Sequence, residues 1–169
     1  VTSYDSIAAS LRTLAVTLPE RADEIAAARR MPSDLAQSLK EAGAFRIAVP
    51  VALGGPELTF RQQTELVELL AYYEPSVAWC VMIGSDAPYY GAFMRPEVAR
   101  ELWPSIDAIT AGLIQPAGRA VATDGGYRIS GRWAFGSGCT HADVIIGGCL
   151  VVDEAGAPVM AESGLPDFI

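Results

Sequence analysis

Asp124-Gly125-Gly126-Tyr127-Arg128-Ile129-Ser130-Gly131-Arg132-Trp133-Ala134-Phe135 decides the fold class. Asp-Gly-Gly between two apolar segments spells a hairpin, because glycine reaches the positive φ that tight hairpin turns demand. The spacing predicts a strand over 127–135, with others over 109–114 and 144–152. All three are rich in β-branched and aromatic residues and punctuated by glycine. The second half of the chain therefore reads as antiparallel sheet.

Toward the amino terminus the pattern changes near residue 106. Ile7, Leu11, Leu14 and Leu18 form a helical stripe that Pro19 breaks or restarts before 20–30. A second helix follows Pro32, buries Leu35 and Leu39, and ends at Gly43. Thr59 and Gln62 have the form of a capping box ahead of Leu66, Leu69, Leu70 and Tyr73, and Pro75 stops that helix. Residues 76–83 and 96–103 read as two more. Helices first and strands afterwards, without βαβ alternation, predict an α+β chain: an all-α domain over 1–106 and a sheet domain over 107–169.

The chain has 169 residues, 51% of them apolar and 19% charged, a composition that excludes disorder for most of its length. Twelve Lys and Arg against twenty Asp and Glu leave a net charge of −8, with no basic stripe, which argues against nucleic acid as partner. Cys80, Cys139 and Cys149 follow no repeated spacing and no secretory leader precedes them, so a reduced, cytoplasmic protein is expected. The longest apolar stretches, such as 47–53, are too short for a membrane span.

Familiar catalytic constellations are scarce. His141 is the only histidine, which rules out a two-histidine metal centre within one chain. Cys139, His141 and Cys149 lack a Cys-x-x-Cys knuckle and read as small core thiols and a polar strand-end residue, so no metal is expected. No G-x-G-x-x-G opens a helix, which excludes a Rossmann cofactor site. In an unbroken strand, Tyr127, Ile129, Gly131, Trp133, Phe135 and Ser137 share one face. Such a face suits a flat heteroaromatic ligand, but alternation of this kind is more often sheet core.

One resemblance bears on that choice. Gly126-Tyr127-Arg128-Ile129-Ser130-Gly131 followed by Arg132-Trp133-Ala134-Phe135-Gly136-Ser137-Gly138-Cys139-Thr140-His141-Ala142-Asp143 resembles the middle β-domain of flavin-dependent monooxygenases built on the acyl-CoA dehydrogenase fold. These are the oxygenase components of two-component hydroxylases. The resemblance extends to Ala111-Gly112-Leu113-Ile114-Gln115-Pro116-Ala117-Gly118-Arg119-Ala120, to Leu39-Lys40-Glu41-Ala42-Gly43-Ala44-Phe45-Arg46-Ile47-Ala48-Val49-Pro50, to Gly54-Gly55 and to Ser76-Val77-Ala78-Trp79. It covers nearly the whole chain in the family's order.

The resemblance implies that Phe135 lies against a flavin ring and that the Ser137 hydroxyl stands near its reactive edge. Leu113, Ile114 and Gln115 would make backbone contacts to the coenzyme, reduced FAD or FMN. Trp79, Tyr89 and Tyr90 would line the substrate side. It further implies a separate flavin reductase, a small-molecule substrate, no membrane, and a homo-oligomer, commonly a tetramer. The chain departs from the family at Val144, where tryptophan is common. His141 is read as a strand-end residue, with approach to the flavin as the alternative.

Relatives carry further strands and a carboxy-terminal helical bundle that holds the acid-base residue. The chain is therefore expected to be a fragment whose sheet is incomplete, with open edges and no assignable catalytic group. Two other readings stand beside the oxygenase: an acyl-CoA dehydrogenase, and a non-catalytic remnant kept for assembly or binding. Dehydrogenases usually carry Thr-Glu-Pro and then Gly-Ser-Asp where this chain has Ile114-Gln115-Pro116 and Gly118-Arg119-Ala120, which favours the oxygenase.

Overall fold

Ser3 starts helix α1 (Tyr4–Ala15) by accepting the Ser6 amide on its hydroxyl at 3.3 Å, in a computed structural model that describes residues 3–169. Ile7, Ala8, Leu11 and Ala15 are buried along one face of α1. Leu18, the last residue of the expected stripe, sits in a separate 3-10 turn (Leu18–Arg21) that Pro19 opens, and α2 (Ala22–Ala28) follows. Helix α3 (Ser33–Glu41) comes after Pro32. It closes where Gly43 takes φ +85°, letting the Gly43 amide donate to the Lys40 carbonyl and the Ala44 amide to the Leu39 carbonyl, both at 2.9 Å.

Helix α4 (Phe60–Tyr73) opens on the expected box: Thr59 Oγ1 accepts from the Gln62 amide while the Thr59 amide donates to Gln62 Oε1. Pro75 ends one helix and starts the next at once, as the first residue of α5 (Pro75–Asp86). A 3-10 stretch (Ala87–Phe93) and α6 (Pro96–Leu102) complete the helical part. At its centre the Phe45 ring is fully buried. Gly84 of α5 passes so close that a β-carbon there would stand 2.8 Å from Phe45 Cε1, so only glycine fits against the ring.

Strands β1 (Thr110–Thr123), β2 (Gly126–Gly131) and β3 (Val144–Val152) form one sheet in the order β2-β1-β3. The hairpin is as read. β1 and β2 pair antiparallel from Thr123 opposite Gly126 to Gly118 opposite Gly131, with Gly125 at φ +79° in the turn. The sheet as a whole is mixed, which corrects the all-antiparallel expectation for its third strand. Gly112 lies against Ile146 and Gly148 against Ile114, the ascending register of a parallel pair. Local turn signals report only neighbours in sequence, so the β1 and β3 pairing left no mark in the pattern.

β1 runs nine residues past its expected end at residue 114. Pro116 is tolerated inside it because the strand changes partner nearby: β3 lies along 112–115 and β2 pairs only from Gly118 onward. The sheet is open, as expected. Only part of β3's outer edge, at Cys149 and Val151, is met by the chain's own return: Ile169 and Cys149 exchange two backbone hydrogen bonds, and the Val151 amide donates to the Asp167 carbonyl.

By packing, the chain divides into two units. The helical unit runs to Ala111 and takes in Gly138–Val144; the sheet unit holds Gly112–Ser137 and Ile145–Ile169.

Candidate functional site

The flavin-facing candidates all fall in the sheet unit. Leu113 is half-buried, whereas Ile114 and Gln115 are exposed along β1. Phe135 and Ser137 lie beyond β2, which ends at Gly131, so the strand expected over 127–135 is corrected and the shared face, which needed an unbroken strand, does not extend to them. Continuing the register would set residue 133 opposite Pro116, which has no N–H to donate, and the ladder stops.

Instead Trp133 turns onto the sheet. Its Nε1 donates to the Gly148 carbonyl at 2.8 Å, and its indole lies over Gly118, Gly131 and Gly147, one glycine from each strand. A β-carbon at any of the three would strike the ring; at Gly147 it would stand 2.9 Å from Cε2. Trp133 thus packs on a glycine floor, and its role is structural.

Past this anchor the chain makes a tight turn in which the Ser137 amide donates to the Phe135 carbonyl at 2.8 Å. Phe135 has φ +60°, a region that aromatic residues seldom occupy, and its residue surface is 90% exposed. Ser137 is half-buried.

The substrate-side candidates lie in the helical unit. Trp79 is 53% exposed on α5, and Met82, three residues on, is exposed as well. Tyr89 and Tyr90 sit in the Ala87–Phe93 stretch, where Tyr89 meets Phe93 edge to face at 5.6 Å.

The turn after Ser137 holds a polar knot that pattern reading missed. Asp143 Oδ2 accepts from Lys40 Nζ at 2.6 Å and from the Ile109 amide at 2.8 Å, while the amides of Asp143 and Val144 both donate to the Ile109 carbonyl. Burial alone would raise the Asp143 carboxyl, but the Lys40 and Ile109 donors hold it below the usual carboxylate range. A second tie joins Arg46 to Asp107 through Nε and Nη2. Asp143 being the last residue of the quoted stretch was the only available signal.

Asp143, not His141, makes the hydrogen bond at the strand end. Both His141 ring nitrogens are shut from solvent without a hydrogen-bond partner. Burial, helped by the Lys40 charge and opposed by Asp143, lowers the imidazole pKa, so the ring is neutral near pH 7. Cys139 is exposed, and Cys149 is buried in the sheet unit with its thiol 3.4 Å from the Gly147 carbonyl. Among the described residues, no helix is long and apolar enough to cross a membrane.

Residues 4–106 match the model of the acyl-CoA dehydrogenase N-terminal domain family. The chain belongs to this family. Among curated relatives it is 37% identical over 128 residues to a pigment production hydroxylase of Rhodococcus erythropolis, covering 75% of this chain and 33% of that protein. It is 34% identical over 136 residues to the oxygenase component of an FADH(2)-dependent resorcinol hydroxylase of a Rhizobium strain, covering 79% of this chain and 33% of the other. Among solved structures, the HsaA monooxygenase of M. tuberculosis matches 94% of the chain and 42% of its own, at 26% identity and a TM-score of 0.85. The chain spans about a third of the length of these curated relatives.

Proposed function

We infer that the full-length protein is the oxygenase component of a two-component flavin-dependent monooxygenase. It hydroxylates a small aromatic or cyclic substrate with reduced flavin supplied by a separate reductase, and assembles as a homo-oligomer. The observation that carries this reading is Phe135: a ring left in solvent on a backbone at φ +60°, just past an indole locked to the sheet. Such a conformation costs about 1–3 kcal/mol, and no burial of the ring within the chain offsets it. A planar ligand lying on the ring supplies that offset.

The residues of the sheet unit fit a flavin. Leu113 and Ile114 offer an apolar wall and backbone groups, Gln115 an amide, Phe135 a face for the ring and Ser137 a hydroxyl for its polar edge. Reduced flavin, when bound, supplies the two electrons by which one atom of O2 enters the substrate and the other leaves as water. Around it the chain's part is to hold, orient and exclude water. Leu113, Ile114 and Phe135 keep water from the ring. In the helical unit by itself, Trp79, Tyr89 and Tyr90 offer aromatic surface of the kind a small substrate needs.

The test is to mix the full-length protein anaerobically with reduced FAD or FMN, admit oxygen with candidate phenolic and indolic substrates, and measure hydroxylated product and hydrogen peroxide. Product formation is expected. In Ser137→Ala, loss of one hydrogen bond of roughly 1–3 kcal/mol should weaken flavin binding about tenfold or raise the peroxide share. Reduction of oxidised flavin by an acyl thioester would instead identify a dehydrogenase, and a folded protein that binds no flavin a remnant.

A further inference from the structure

Ile109 stands immediately before β1 and is gripped on both sides by residue 143. Its N–H donates to the Asp143 carboxylate at 2.8 Å, and its carbonyl accepts the Asp143 and Val144 amides at 2.8 and 3.1 Å. Two stretches leave this knot. One is β1, which reaches Leu113 after four residues, roughly 13 Å of extended chain. The other is the 138–143 turn, which joins directly to Ser137 and Phe135. The stretches read as flavin contacts are therefore the two chain segments that Asp143 ties together, though they lie twenty or more residues apart in sequence.

We propose that Asp143 is a positioning residue for the coenzyme: by accepting the Ile109 amide it sets where 113–115 stand relative to 135–137. This rests on the flavin reading above. The Lys40 ion pair is secondary. The Lys40 and Asp143 side chains are 24% and 45% exposed, and pairs so open to water contribute little. The amide acceptor matters more, because an N–H at a strand start that loses its partner lets the strand's entry shift. Displacements of about 1 Å in a site are worth up to about a hundredfold in activity.

The experiment uses the full-length protein and four variants: Asp143→Ala, Asp143→Val, Asp143→Asn and Lys40→Met. Each is measured for its reduced-FAD dissociation constant, for the bound flavin's absorption band shape, and for hydrogen peroxide released per oxygen consumed. Asp143→Ala and Asp143→Val, which remove the acceptor, are expected to bind flavin roughly tenfold more weakly, with a shifted band and more peroxide. Asn keeps an acceptor oxygen and should restore binding to within about threefold, as should Lys40→Met, which removes only the ion pair.

Val keeps the extended backbone preference of a strand entry and serves if Ala fails to fold. A folded Ala or Val variant that binds flavin as tightly as the wild type, with the same band and the same peroxide share, overturns the proposal. So does Lys40→Met equalling Asp143→Ala, because the ion pair alone would then carry the effect. Wild type that binds no flavin overturns the flavin reading itself, and with it any role for Asp143 toward a coenzyme.

Discussion

The two units are built on opposite plans. All the largest fully buried side chains, Phe45, Leu11, Leu39, Leu66 and Leu70 among them, belong to the helical unit, whose helices enclose them from several sides. The sheet unit buries only small residues, Gly118, Ala120, Gly148, Cys149, Val151 and Val152, and every residue of β2 is exposed. One unit encloses large side chains; the other encloses small ones, and both leave apolar side chains exposed. Apolar area held in water is unfavourable by about 25 cal/mol per Å². The sheet unit exposes Ile114, Ile129, Phe135 and Ile145, and the helical unit exposes Phe60, Tyr72 and Phe93.

The sharpest way to break this contrast is at Phe45. Phe45→Ala should cost about 3–5 kcal/mol, because the cavity is enclosed and Gly84 cannot fill it. Urea denaturation followed by hydrogen exchange should show α4 and α5 losing protection. A loss below 1 kcal/mol would mean that the helical unit is not built around this ring.

A smaller effect is expected from Gly112→Ala. Gly112 has φ +137°, and its β-carbon would collide with the Ile146 carbonyl, so β1 and β3 must part locally at about 1–3 kcal/mol. Amides of the sheet unit should then exchange faster while those of α4 keep wild-type rates. Equal loosening in both units would show that they do not unfold separately.

The smallest effect is a pH slope. Half-buried, with both ring nitrogens shut from solvent, His141 has a folded pKa below its unfolded value of about 6.5. Its contribution is complete above that pH and is lost as pH falls through the folded value, because the unfolded chain takes the proton first. Melting of the helical unit should decline on going from pH 7 to pH 5, with uptake of a fraction of a proton, and His141→Phe should flatten the decline. A wild-type profile already flat over that range would contradict the sealed imidazole.

Features set by short-range chemistry were legible in the sequence. The Thr59 box, the Gly43 stop, the Pro75 boundary and the Asp124-Gly125 hairpin depend on residues within a turn of one another, and each stands where the pattern put it. What failed was alternation past Gly131. Period-two counting assumes that the ladder continues, and it ends because the strand opposite offers Pro116. The Asp143 knot was illegible for a related reason. Its partners Lys40 and Ile109 lie 103 and 34 residues away, and a lone aspartate names neither. Among the candidate site residues, membership in the quoted stretches was readable from the chain, whereas the unusual backbone at Phe135 was not.

The indole of Trp133 and the three glycines beneath it behave as one part cut into four pieces. Enlarging any glycine evicts the ring, and shrinking the ring leaves three bare backbones with nothing lying over them. Drift at one of these positions therefore has to wait for another. An engineer wishing to reshape this patch must exchange several codons together or leave it alone.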